Sequence, residues 1–156
     1  MSDSTSRTIH KGRVVTLNVE HVTLPNGNET QLEIIRHPGA SAVVPMTDAG
    51  NVLLVRQYRY AAGGYILEVP AGKLDPGEDP QICAVRELEE EAGVVAGELQ
   101  KLGSILTTPG FTDEVIHLYL ATKLQPGSQA LEHDEDLTVQ EVSFHEAIRL
   151  CVEGDI

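Results

Sequence analysis

The stretch from Gly72 to Val94, GKLDPGEDPQICAVRELEEEAGV, leaves this chain few ways to fold. It opens as a loop holding the turn-forming pair Pro76-Gly77. Asp79 followed by Pro80 is a helix start, with aspartate as N-cap and proline at the first helical position. The spacing predicts a helix from Gln81 to Glu91 that stops at Ala92-Gly93, where glycine takes the left-handed conformation that ends helices. Glu87, Glu90 and Glu91 stand at i, i+3 and i+4, so all three carboxylates share one face. Ile82, Val85 and Leu88 are the apolar positions expected to pack the helix down.

Three like charges on one turn repel, and they sit toward the end where the helix dipole disfavours anions. A helix selected only for stability would not carry them there. Arg86 neutralises part of the cost. A hard divalent cation answers the rest, because oxygen ligands suit Mg²⁺ or Mn²⁺. For an arbitrary acidic run, a solvated helix face is the commoner outcome.

The neighbouring residues reverse that weighting. The stretch resembles the Nudix box, GX₅EX₇REUXEEXGU with U aliphatic, through Gly72, Glu78, Arg86, Glu87, Leu88, Glu90, Glu91, Gly93 and Val94. A chance match to the seven fixed identities has a probability on the order of 10⁻⁹ at a given position. The resemblance implies an α/β fold, an α/β/α sandwich with a mixed central sheet. It also implies Glu87 and Glu91 as direct metal ligands, Glu90 as a ligand directly or through water, and the Ala71 carbonyl as a further one. Arg86 is expected to orient the glutamates and Glu78 to anchor the loop to the helix.

The chain has 156 residues, 41% of them hydrophobic, enough for one domain with a real core. Its formal net charge of −13 argues against a nucleic-acid surface and against docking on anionic lipid. A small phosphate-bearing substrate remains compatible if metal mediates the contact. Cys83 and Cys151 are few and unpatterned, and no signal peptide or spanning segment is visible, so a cytoplasmic setting is expected.

Met1 to Thr8 reads as a frayed terminus. Val15, Leu17 and Val19 alternate with polar residues as in a half-buried strand. Pro25-Asn26-Gly27-Asn28 is a hairpin turn, and Gln31 to Arg36 returns as the partner strand. Residues 1–40 are therefore expected to form a small antiparallel β-hairpin unit, and 41–156 the hydrolase domain. A lone hairpin is marginal in water, so this one must pack on the main body or on a second copy of the chain, which points to a homodimer. Further strands are expected at Ser41–Met46, Val52–Gln57, Tyr65–Val69, Gly103–Thr107, Glu114–Thr122 and Leu137–Ser143. The last helix, Phe144–Val152, is expected to turn Ile148 and Leu150 or Val152 inward.

The flanks narrow the family resemblance. Gln57-Tyr58-Arg59-Tyr60 followed by Leu67-Glu68-Val69-Pro70-Ala71-Gly72 is similar to the arrangement in ADP-ribose pyrophosphatases. Pro109, sixteen residues after Gly93, and the N-terminal hairpin fit the same subgroup. One departure is the end of the chain at Ile156, where members of the family usually continue into a further helix. The resemblance implies Mg²⁺-dependent hydrolysis of ADP-ribose to AMP and ribose 5-phosphate. Another nucleoside diphosphate sugar such as GDP-mannose is the alternative substrate, and a non-catalytic ADP-ribose sensor the alternative class. Arg59 is the candidate phosphate contact, against a plain ion pair. Glu68 is a candidate ribose contact, against a structural residue at a strand edge, and Phe111 a candidate for stacking on adenine. For the general base, the loop Glu132-His133-Asp134-Glu135-Asp136 offers Glu135 first and Glu132 second, against a solvated acidic loop.

Overall fold

The computed structural model describes residues 5–133 and 135–156, so Asp134 of the acidic loop lies outside the described residues. The chain divides into two compact units. The first takes the chain up to Gly39 together with Ile105–Ile116; the second is Ala40–Ser104 with His117–Ile156.

In the first unit, β1 (Thr5–Lys11), β2 (Thr16–Thr23) and β3 (Glu29–Arg36) form an antiparallel sheet in that order. The expected hairpin is β2–β3. The expected frayed terminus is corrected in part, because residues 5–11 form a strand along the edge of β2. Its side chains are all exposed, so what holds it is the backbone ladder, a term that composition does not reveal. Glu20 looked like an outward polar residue of an alternating strand, yet it is buried. The reason is Arg36, on the same face of β3 and four residues beyond Leu32, the residue paired with Glu20. Its Nη2 donates to both Glu20 carboxylate oxygens at 2.7 Å, and its Nη1 donates to Asp113 Oδ2 at 2.9 Å.

The second unit contains β4 (Ala40–Pro45), β5 (Asn51–Arg59), β6 (Gly64–Glu68), β7 (Ala71–Lys73), α1 (Pro80–Ala92) and β8 (Val94–Val95). These are followed by β9 (Glu98–Leu106), β10 (Val115–Thr122), β11 (Gln125–Pro126), β12 (Leu137–Ser143) and α2 (Phe144–Glu153). The two strands β9 and β10 run on into the first unit. Two sheets result, β7-β4-β10-β9 and β12-β5-β6, besides the short pair β11-β8. The apolar run Val52–Val55 sits in β5, the middle strand of its sheet, and is buried on both faces.

Each helix closes one core. Ala84 and Leu88 of α1 pack with Val43, Tyr119 and Ala121, while Ala147 of α2 packs with Val52 and Leu54 and is backed by Leu150. Val43 and its neighbour Val44 belong to opposite cores, so the sheet lies between the helices. Two expected packing faces need correction. On α1 the buried face is Cys83, Ala84, Glu87, Leu88 and Glu91, whereas Ile82 and Val85 are exposed. On α2 the inward residues are Ala147 and Leu150, with Ile148 and Val152 exposed. In both helices a small residue is what lets the helix approach the sheet, and a hydrophobicity pattern underweights alanine and cysteine. The strand expected at Gly103–Thr107 begins earlier, at Glu98. Among the described residues no helix is long and apolar enough to cross a membrane.

Arg36→Met should leave the Glu20 carboxylate buried without its arginine and lower stability by about 1–3 kcal/mol. Adding Glu20→Leu should recover most of that loss in urea denaturation. A double variant as unstable as the single one would contradict the account of this pair.

Candidate active site

Helix α1 starts and stops where its sequence dictates. Asp79 accepts a hydrogen bond from the Gln81 N–H at 2.7 Å, Pro80 is the first helical residue, and Gly93 closes the helix in the left-handed region at φ 65°. Ser41 on β4 donates its hydroxyl to the Pro80 carbonyl at 2.7 Å and fixes the start of the helix to the sheet. The glutamate-bearing face then turns inward against β7. Glu91 is 2% exposed and Glu87 7%. Burying two carboxylates needs compensation, and the structure supplies part of it.

Arg86 supplies most. Its Nε and Nη2 donate to the two Glu78 oxygens at 3.0 and 2.9 Å, its Nη1 to Glu87 Oε1 at 2.6 Å and Glu90 Oε2 at 3.1 Å. Nη2 also reaches the Lys73 carbonyl at 3.2 Å. The fork thereby ties the Gly72–Glu78 loop to the helix. Bonding to Arg86 holds the Glu78 carboxyl down at about 2. Glu87 is instead raised, because burial outweighs Arg86.

Glu91 receives less help. The Ala71 N–H donates to its Oε2 at 2.9 Å. Burial nevertheless pushes the carboxyl up to about 8, opposed by that bond and reinforced by the charges of Glu87 and Glu135. Gly72 completes the arrangement. A Cβ there would overlap the Glu87 carboxylate, so only glycine lets the β7 backbone lie against it.

These residues fit a hard divalent cation. Glu87 and Glu91 are adjacent buried oxygen donors whose charge Arg86 and one backbone N–H leave partly uncompensated, and the Ala71 backbone touches Glu91. Among the described residues no three acidic, histidine or cysteine side chains converge into a ready-made cage. Glu90 is turned outward toward Arg86 and is only partly buried.

The acidic loop lies close by. It is anchored to the end of α1, where the Ala130 N–H donates to the Glu90 carbonyl at 2.9 Å and Gln129 Nε2 to the Glu91 carbonyl at 2.6 Å. Its other end is held by the Tyr58 N–H on the Asp136 carbonyl at 3.0 Å and by the Tyr65 hydroxyl on Asp136 Oδ2 at 2.5 Å. Between these anchors Glu135 is half-buried, and its charge acts on both Glu87 and Glu91. Glu132 is exposed, and its N–H donates to Glu135 Oε2 at 2.7 Å. The two candidate bases are thus joined through the Glu132 backbone, and it is Glu135 whose charge reaches Glu87 and Glu91.

Arg59 and Glu68 also meet. Arg59 Nε donates to Glu68 Oε2 at 2.9 Å, and the charge of Arg59 opposes the upward shift of Glu91. Phe111 belongs to the first unit, half-exposed in the turn that follows Thr108, with its carbonyl accepting from the Ile35 N–H at 2.7 Å. Sequence reasoning passed over the loop anchors Gln129 and Ala130 and the buried Gln57. Ala130 acts through its backbone N–H and Gln129 through a side-chain amide on a helix carbonyl, contacts that no local pattern marks, and Gln57 was visible only as part of a motif.

The NUDIX domain model matches residues 35–154, and the chain belongs to the Nudix family. It is 45% identical over 150 residues to an ADP-ribose pyrophosphatase of Bacillus subtilis, covering 95% of this chain and 81% of that protein. It is 46% identical over 150 residues to a methanol dehydrogenase activator of Bacillus methanolicus, again covering 95% and 81%. A solved structure described as an ADP compounds hydrolase superposes with a TM-score of 0.82 at 25% identity, over 97% of this chain and 82% of that one. The fold is the expected α/β/α sandwich.

Two predictions follow from the site. Gly72→Ala should displace the Glu87 carboxylate and raise the divalent-cation concentration needed for half-maximal activity by about tenfold or more, as a metal titration would show; an unchanged midpoint would contradict the close approach. Glu78→Gln should lose stability that the wild type has above the ordinary glutamate range, near 4.5. The wild-type advantage should shrink as pH falls toward about 2, because the depressed carboxyl is then protonated in the folded state too. Urea midpoints of both proteins at pH 7 and pH 3 measure it, and an equal gap at both would contradict the Arg86–Glu78 bond as its source.

Proposed function

We propose that this chain is an Mg²⁺-dependent hydrolase that attacks the diphosphate of ADP-ribose with water, giving AMP and ribose 5-phosphate. The observation that carries the proposal is the pair of buried, incompletely compensated carboxylates, Glu87 and Glu91, with Glu135 facing them and Arg59 close by. The family and the name of the Bacillus subtilis relative support the substrate.

Glu87 and Glu91 would hold the divalent cation, with Glu90 and the Ala71 carbonyl completing the donor set. Bound there, Mg²⁺ (or Mn²⁺) supplies charge compensation and Lewis acidity to the diphosphate. Arg86 keeps Glu87 and Glu90 oriented through one rigid fork. Arg59, held at Nε by Glu68, presents its remaining N–H groups to a phosphate oxygen. Glu135 takes a proton from the attacking water, with Glu132 as the second candidate. The water oxygen bonds to phosphorus, the bridging P–O bond breaks, and its oxygen leaves with the electron pair. Phe111 is the candidate adenine contact, and Glu68 the candidate contact of the terminal ribose.

The N-terminal sheet serves dimerisation in this proposal, since its β1 edge and the side chains of Ile9, Val14 and Leu32 are exposed. A cytoplasmic small-molecule enzyme, with no nucleic-acid or membrane partner, fits the net charge of −13.

AMP release from ADP-ribose in Mg²⁺, with GDP-mannose alongside and excess EDTA as control, tests the reaction. Glu91→Gln should lower kcat by about 10²-fold or more while the protein stays folded. Turnover of GDP-mannose alone would move the substrate, and near-wild-type turnover by the folded variant would overturn the roles given to α1.

A further inference from the structure

Gln57 is 4% exposed, and its Oε1 is a buried side-chain oxygen without a hydrogen-bond partner among the described residues. Such an atom is costly, and among the buried side-chain oxygens and nitrogens of the described residues it alone lacks a partner, so it asks for a reason. The sheet register says where the side chain lies. On β5 and β6, Val55 stands opposite Glu68, Gln57 opposite Ile66, and Arg59 opposite Gly64. Directly paired residues and residues two apart share a face, so Gln57, Arg59 and Glu68 are on one side of the sheet. Arg59 bonds Glu68 across the intervening row, which is the row of Gln57 and Ile66. The Arg59–Glu68 pair therefore spans the row in which Gln57 stands, on the same face of the sheet.

That arrangement leaves the guanidinium half-fixed. Its Nε is held by Glu68, and Arg59 makes no other side-chain hydrogen bond among the described residues. A fork held at one nitrogen can turn, whereas two-pronged recognition of phosphate needs it fixed in plane. A second acceptor on the same face would do this, and Gln57 Oε1, in the row between Arg59 and Glu68, is an acceptor lacking a donor.

We propose that Gln57 is a positioning residue for Arg59: when a nucleoside diphosphate binds, Gln57 Oε1 accepts from one Arg59 Nη. Glu68 then holds Nε, Gln57 holds one Nη, and the other Nη faces the phosphate. This rests on the role given to Arg59 under the proposed function.

The test uses the full chain as wild type, Gln57→Met, Gln57→Glu, Arg59→Lys and Gln57→Met/Arg59→Lys. Two measurements are made: KM and kcat for ADP-ribose in Mg²⁺, and calorimetric binding of ADP. Gln57→Met should raise KM, and weaken ADP binding, by about tenfold, the size of one charge-assisted hydrogen bond. It should leave kcat within about twofold and melting unchanged or higher, since an apolar isostere replaces an unsatisfied acceptor. Gln57→Glu, which keeps an acceptor oxygen, should stay within about threefold of wild type. In the Arg59→Lys background, Gln57→Met should have no further effect on either measurement, because a residue that acts through Arg59 has nothing left to position. Additive losses, an unchanged KM, or ADP that fails to bind the wild type would overturn the proposal. A wild type that binds ADP without hydrolysing ADP-ribose would instead defeat the substrate reading, and the binding series alone would decide the role of Gln57.

Discussion

The Arg86 guanidinium is the interaction on which the rest of the second unit depends. It joins the loop after β7 to α1 through Glu78 and the Lys73 carbonyl, and it neutralises one edge of the acidic face through Glu87 and Glu90. A lysine could not reach these groups at once, because its charge sits at a single nitrogen. Burying the helix face with its glutamates in place is possible only because this fork, the Ala71 N–H and the absent side chain at Gly72 make room for the carboxylates and partly satisfy them. What they leave unsatisfied at Glu91 is the basis for the cation site proposed there.

The same economy shapes the acidic loop. It spans from the end of α1 to the β5–β6 sheet and is bonded at both ends, so Glu135 is delivered to the carboxylates by fixed anchors. The carbonyls of Glu90 and Glu91, which the helix itself leaves unpaired at its last turn, are the ones the loop satisfies. Helix end and acidic loop are therefore one structural problem with one solution.

Much of this was legible in the sequence. The α1 cap at Asp79-Pro80, its stop at Gly93, and the strand at Leu137–Ser143 appear where the local signals put them. These are features whose cause lies within a few residues. What was misread had its cause elsewhere in the chain. Ile82 and Val85 looked like the packing face of α1, but Cys83 and Ala84 win because small residues allow close approach to β4. Glu20 looked solvated, and only Arg36, sixteen residues away, shows why it is buried. The strand at residues 5–11 carries no burial pattern at all, since backbone pairing and one exposed side-chain bond, from the Thr8 hydroxyl to Asn18 Oδ1, hold it. Of the candidate site residues, the carboxylates of α1 were marked by spacing, whereas the mutual engagement of Arg59 with Glu68 and of Glu132 with Glu135 depends on register and loop path that no short pattern encodes.

The most direct measurement is Mn²⁺ binding to the metal-free protein, followed by the loss of the free-ion paramagnetic resonance signal, in the wild type and in a Glu87→Gln/Glu91→Gln double variant. The account predicts saturable binding to the wild type at micromolar to low millimolar Mn²⁺, and its disappearance in a double variant that remains folded. Equal binding by both proteins would place the cation elsewhere and contradict the role given to the buried face of α1.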